Sequence, residues 1–261
     1  MKRSSKLAEK VLFASRAFRL SKAARFGVIV TAILSFLLFS ISFYSTESGN
    51  FTFSVDQRAY SIGITLYEFA EDKEYTARLM AEKVDNAEGM TDLCGIMPDR
   101  DLDHPTCIPP DEFYYTAEGS NNGENYIAYS FYVEMTGDSQ FAADLVAEID
   151  IISTANAAEE AVRVKVIIDE ESTVYAKLQS ENGENPGELE PYTDKAFYGP
   201  TTVMKENFTN FSPGDVKKVT VILWYEGYDP DHTIDIWNGG VKLSMSFTVT
   251  NVVTLDEDET A

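Results

Sequence analysis

VKLSMSFTVT (residues 241–250) alternates Val241, Leu243, Met245, Phe247 and Val249 with Lys242, Ser244, Ser246, Thr248 and Thr250. A period of two belongs to a strand with one face on a core and one in water. A helix would repeat its apolar positions every three or four residues. The same rhythm recurs upstream. In YIAYSFYVE, Ile127, Tyr129, Phe131 and Val133 share a face, and in AVRVKVIID, Val162, Val164, Val166 and Ile168 do so. By that pattern Arg163 and Lys165 face solvent. FTFSV (51–55), YSIGITLYE (60–68), DLVAEIDII (144–152), STVYAKL (172–178) and VKKVTVILWYE (216–226) complete about eight strand candidates. Turn residues separate them: Gly119–Gly123, Glu181-Asn-Gly183, and Ser212-Pro-Gly-Asp215, where Pro before Gly suits a type II turn.

Only EYTARLMAEKVDNA (74–87) reads as an exterior helix. Without regular strand–helix alternation there is no basis for a parallel sheet. The expectation is a mainly β domain, an antiparallel β-sandwich of jelly-roll type, preceded by one transmembrane helix. A hydrophobic content of 44% with 12% aromatics is ample for its core.

The transmembrane expectation rests on FGVIVTAILSFLLFSISFYST (26–46), which contains no acid or base. As a helix it spans roughly 31 Å, about the hydrocarbon thickness of a bilayer. Lys2, Arg3, Lys6, Lys10, Arg16, Arg19, Lys22 and Arg25 precede it against the single acid Glu9. The positive-inside bias therefore keeps residues 1–25 in the cytoplasm and places the C-terminal domain outside. A cleaved signal peptide and secretion are the alternative. The apolar core is longer than a signal peptide needs, and Ser40-Ile41-Ser42 and Thr46-Glu47-Ser48 are weak cleavage sites. Residues 6–25 place Leu7, Val11, Ala14 and Phe18 at helical spacing, which fits an inner-surface helix or a plain topology signal.

Beyond the hydrophobic segment the domain occupies residues 47–254. Loop insertions fall near 86–122 and 179–200, and an acidic, disordered tail covers 255–261. The whole chain carries 21 basic and 43 acidic residues, a net charge of −22. Such a surface repels phosphate backbones, so no nucleic-acid partner is expected. Cys94 and Cys107, both on the outer side, can close a disulfide or remain free thiols.

Catalytic motifs are sparse. His104 and His232 are the only histidines, with neither an HExxH helix nor a GxSxG elbow. A metal-dependent hydrolase therefore ranks third among the functions considered. Two aspartate sets suggest calcium instead: Asp99, Asp101 and Asp103 at alternate positions, and Asp229, Asp231 and Asp235 within WYEGYDPDHTIDIWNGG (224–240). Oxygen-rich loops suit a hard cation, although neither set continues as an EF-hand and solvated acidic loops are the simpler alternative. Asn50, Asn207 and Asn210 match glycosylation acceptors, a coincidence if the source is bacterial.

Pro213, Gly214, Asp215, Trp224, Glu226, Asp229 and the Gly239–Gly240 pair before the last strand form a pattern. Together with AYSFYVEMTGD (128–138), it resembles camelysin and the TasA-type exported surface and biofilm matrix proteins of Gram-positive bacteria. The resemblance covers about residues 120–260 through short motifs. It implies a jelly roll at the cell surface with a structural, adhesive or matrix role. The cysteine loop and the 179–200 segment have no counterpart, and no catalytic residue carries over. The expected protein is thus a membrane-anchored surface module without enzymatic activity. Cell-wall or matrix proteins are its expected partners, and self-association is open to it. A calcium- or glycan-binding module is the alternative.

Overall fold

The computed structural model describes residues 30–31, 34–35, 51–93, 106–137, 139–236 and 238–255. The chain divides into two compact units, Met1–Gly49 and Asn50–Ala261. In the first, residues 30, 31, 34 and 35 are helical. Among the described residues no helix is long and apolar enough to cross a membrane. Most of the 26–46 segment, the basic residues 1–25, Cys94, Asp99, Asp101, Asp103 and the tail beyond Leu255 lie outside the described residues.

The second unit is mainly β. Its last strand, β14 (Gly240–Thr254), buries Leu243, Met245, Phe247 and Val249, as the alternation predicts. It pairs antiparallel with β8 (Phe141–Ala155), whose other edge carries β12 (Thr202–Phe211). On its opposite side β14 pairs with β1 (Phe51–Val55), which pairs in turn with β3 (Arg78–Ala81). The first sheet therefore runs β12-β8-β14-β1-β3.

The second sheet takes β2 (Ile64–Tyr67), β7 (Ile127–Met135), β13 (Val216–Tyr225), β9 (Val162–Ile168), β10 (Glu171–Ala176) and β11 (Lys195–Ala196). Its order is β11-β10-β9-β13-β7-β2, with β6 (Gly119–Ser120) also beside β7. Inward side chains of both sheets form one core, which includes Phe53, Leu145, Met245 and Phe247 from one side and Phe131, Val164 and Val221 from the other. Ring contacts cross it, Phe53 to Phe131 at 4.6 Å and Phe131 to Phe247 at 6.1 Å. Each such side chain contributes about 1.5–3 kcal/mol by leaving water.

Three expectations need correction, and one strand was not expected at all. The pairing is mixed rather than purely antiparallel, since β1 runs parallel to β14 and β10 parallel to β11. The helix expected over 74–87 is absent. The segment bridges Leu66 at Thr76 and then forms β3, with Leu79 and Ala81 inward and Arg78 and Met80 outward. Pairing with β1 supplies ladder bonds that override the helix-favouring composition. Third, Tyr60 and Ser61 belong not to β2 but to α1 (Gln57–Ser61), capped by Asp56, whose Oδ1 accepts from Ala59 N at 2.7 Å. Gly63, at a φ of +99°, ends that turn with backbone that favours glycine. Last, β12 escapes the period-two test because register shifts interrupt it: Met204, Phe208 and Phe211 face the core at spacings of four and three.

The largest difference lies on the outer face of the second sheet. Arg163 and Lys165 are 3% and 4% exposed rather than solvated. They are roofed by the two presumed insertions. One contributes β4 (Met90–Thr91), β5 (Thr106–Cys107) and α2 (Asp111–Tyr114), and the other runs through residues 179–194. β4 and β5 pair parallel, and Cys107 is disulfide-bonded. Beneath the roof Met90, Ile108, Tyr114, Ile167, Ile222 and Trp224 form a second apolar cluster. β13 is therefore buried on both faces, which explains its run of consecutive apolar residues.

Candidate functional site

The acidic connection after β13 does not turn back on its own sheet. It carries the chain from the second sheet to the first, and it is pinned at its start by Glu226 N donating to Ala161 O and Gly227 N to Met90 O. It then coils through Asp229 N to Glu226 O and His232 N to Asp229 O before a 3-10 turn at Ile234–Ile236. At Gly239 a Cβ would meet Ala155 O at 2.7 Å, so the chain rejoins the first sheet where only glycine fits. Trp224 belongs to the second apolar cluster, and Trp237 lies outside the described residues.

The geometry brings Asp229 and Asp231 together but not Asp235, which is exposed and donates its N–H to Thr233 Oγ1. The third partner is Glu190, from the 179–200 segment. One carboxylate oxygen from each of Glu190, Asp229 and Asp231 lies within 4.8 Å of the others, and all three residues are buried. Arg163, opposite Trp224 in the β9–β13 register, places Nη2 2.7 Å from Asp229 Oδ2 and 3.4 Å from Glu190 Oε2. Asp229 Oδ1 accepts from Asp231 N at 2.7 Å. Asp231 Oδ1 accepts from Ser180 Oγ at 2.8 Å and Asn182 Nδ2 at 2.7 Å. The 179–200 segment is thus tied to the β13–β14 connection through carboxylates.

Among the described residues these three buried acids share one guanidinium, that of Arg163. The consequence appears at Glu190: burial, then the charge of Asp229, push its carboxyl up to about 7, with Arg163 offsetting part of the rise. Glu226 is raised by burial as well, although Trp224 Nε1 donates to its Oε2 at 3.2 Å. A cavity of about 350 Å³ opens beside these groups, lined also by Asp92, Tyr192, Tyr228 and Pro230. Further along the roof Lys165 pairs with Asp92 and, at 2.8 Å, with Asp111. Burial opposes the lysine's charge, but the two aspartates outweigh it and raise its pKa. His232 is not one of the three clustered acids' neighbours on the cavity side, although its backbone N–H donates to Asp229 O and the charge of Asp229 opposes the lowering of its pKa. It stacks on Tyr225 at 6.5 Å, and burial lowers its pKa.

Two members of this site escaped the sequence-based reading. Arg163 alternates with valines as a solvated strand residue would, and Glu190 sits in the polar run GELEPY. The one available signal was a cation flanked on both sides by valine in a strand that proves central.

A second concavity lies between the sheets at the β12 side, with a volume of about 580 Å³. Val166, Tyr175, Met204 and Phe208 line it, and Lys195 Nζ reaches Glu206 Oε1 across its mouth at 2.6 Å. Among the described strands β12 pairs with β8 alone, so it forms one edge of its sheet, although Thr202 O and Val203 O at its start accept from Gly199 N and Tyr198 N.

No family model and no curated protein matches this chain. Among solved structures, the chain is similar to a β-glucosidase from Kluyveromyces marxianus. In its glucose complex the identity is 12% and the TM-score 0.24, with 75% of this chain and 17% of that chain covered. A selenomethionine form of the enzyme gives 13%, 0.22, 75% and 17%. The matched region is thus about a sixth of the glucosidase, at an overlap too low to carry an argument.

Proposed function

We propose that the protein is a membrane-anchored, extracellular β-domain of jelly-roll type that acts by structural contacts at the bacterial cell surface and not by catalysis. Residues 26–46 serve as its anchor, and the contacts include those with further copies of the chain. The observation that carries this reading is the edge strand β12, ten residues long, beside the 580 Å³ cleft between the sheets. An edge strand offers unpaired N–H and C=O groups to an extended partner segment, and the neighbouring cleft, which Lys195, Glu206 and Asp215 line together with Tyr175, Met204 and Phe208, gives alternate side chains a place to insert. Lys205, Glu206 and Asn207 in the middle of β12, and the bulge before Phe211, limit indiscriminate pairing.

The test combines location with association. Fractionated cells should hold the full-length protein in the membrane, with its domain cleavable by external protease. In detergent it should sediment as oligomers. Thr209→Pro, at an exposed edge position, should shift it to monomer at unchanged folding cooperativity. Recovery of the intact chain from the cytosol, or monomers only from the wild type, would contradict the proposal.

A further inference from the structure

We propose that Lys165 and Asp92 condense to an intramolecular isopeptide bond, with Asp111 as the proton carrier, so that the roof is joined covalently to the second sheet. The link is internal to one chain and independent of the edge-strand association proposed above.

The lysine stands in apolar surroundings. In the register of the sheet Lys165 lies between Ile222 of β13 and Val174 of β10, both members of the second apolar cluster, and its side chain is 4% exposed. Burying such a charge costs about as much as a good ion pair returns, and apolar replacements of buried pairs are often no less stable. An ion pair alone therefore gives a weak reason for a lysine here. A neutral amide in the same place keeps the connection and removes both charges from the interior.

The reacting groups are already in contact. Lys165 Nζ pairs with Asp92 Oδ2 and donates to Asp111 Oδ1 at 2.8 Å, so one carboxyl meets the nitrogen while a second stands ready to take up protons. Both acids sit on ordered backbone. Asp92 follows β4, which is held by Gly227 N donating to Met90 O on one flank and Ile108 N to Thr91 O on the other. Asp111 is the first residue of α2. Groups oriented in this way react with effective molarities of about 10⁵–10⁸ M. Burial raises the Asp92 pKa; Lys165 opposes the rise, and the charges of Asp111 and Asp194 add to it. The protonated acid that an amine can attack is favoured accordingly.

The step balances without an outside reagent. A proton passes from the Lys165 ammonium to Asp92, leaving an amine that faces a carboxylic acid. The amine lone pair attacks Asp92 Cγ, and the Nζ–Cγ bond forms. Asp111 takes a proton from the nitrogen and passes it to the departing hydroxyl, so the Cγ–O bond breaks and water leaves. An ammonium and a carboxylate become one amide and one water. Nothing is oxidised or reduced, and Asp111 ends as it began.

The test is mass spectrometry of the full-length protein, unfolded after purification and reduced to open its disulfide. The wild type should be one water lighter than its sequence requires. Trypsin should release residues 84–100, which contain Asp92, joined to residues 164–177, in which Lys165 resists cleavage. Lys165→Arg keeps the cation, so it should retain a cooperative thermal transition yet show full mass and no joined peptide. Asp111→Ala should purify largely unlinked, since loss of a proton carrier slows such steps about a hundredfold or more. A wild type of full mass, with Lys165 open to trypsin, would overturn the proposal. So would a water lost elsewhere, including a link through Asp111, which would join residues 101–163 to 164–177. A fully linked Asp111→Ala would overturn the role given to Asp111.

Discussion

Arg163 is the residue on which the roof depends. It stands on a central strand, 3% exposed, and its two ion-pair partners belong to segments distant in the chain: Glu190 and Asp229. A buried pair of this kind adds little net stability when intact, because desolvation offsets attraction. Removing one partner is another matter, since it strands the other charges. Arg163→Met keeps much of the side chain's apolar length and deletes the guanidinium. It should cost about 3–5 kcal/mol in urea-induced unfolding. Adding Glu190→Gln to the same chain should recover part of that loss, because one of the stranded charges disappears. Full additivity of the two changes would show that the residues do not interact.

At the level of elements, periodicity was sufficient wherever one face meets the core and one meets water. β14 and β8 follow their alternation, although they extend past the expected 241–250 and 144–152 to Gly240–Thr254 and Phe141–Ala155, while β7 keeps its expected bounds to within a residue but is buried on both faces. The pattern fails in physically distinct ways elsewhere. In β12 a bulge shifts the phase, and in β3 a short edge strand carries helix-favouring residues that only its neighbour β1 holds extended. In β9 a polar face is polar because it meets buried acids and not water, which alternation alone does not distinguish. The turn between β1 and β2 is a case of local chemistry that was legible but unread: Asp56 stands where an N-cap belongs. Asp56→Ala should lower stability by about 1 kcal/mol in equilibrium unfolding, and Asp56→Asn by much less. Equal losses for the two would assign the effect to charge instead of the hydrogen bond to Ala59 N.

For the molecule as a whole, the acidic excess is not confined to the surface. Glu190, Glu226 and Asp92 all titrate above their ordinary values, with burial as the leading cause. A carboxyl whose folded pKa is raised binds its proton more tightly folded than unfolded. Its contribution is complete below the unfolded value of 4.5 and is lost as pH rises, for Glu190 through about 7. Glu134 and Glu159 act in the opposite sense. Burial opposes their charge, but Lys73, Tyr67 and Tyr75 at the first, and Thr154 and Lys177 at the second, hold their pKa below the ordinary value. Their stabilisation is lost only as pH falls through the acid range. Burial lowers the pKa of His232, which therefore acts in the opposite sense to Glu190 over the same range, so the Glu190 contribution is read by difference: Glu190→Gln should raise resistance to urea more at about pH 8 than at pH 5.5. An equal effect of the substitution at both pH values would contradict the assignment. None of this was visible in the net charge, which counts acids without saying which are buried.

The parallel pairing of β1 with β14 has a mechanical consequence. Thr52 to Val55 lie alongside Ser244 to Phe247, and both strands run the same way. Tension between Phe51 and Thr254 pulls the two strands lengthwise in opposite directions. The hydrogen bonds between them are then loaded together, in shear, and must rupture as a group. Had the strands been antiparallel, the same pull would have opened them one bond at a time, like a zip. A domain strained between its first and last strands would yield at higher force in this arrangement.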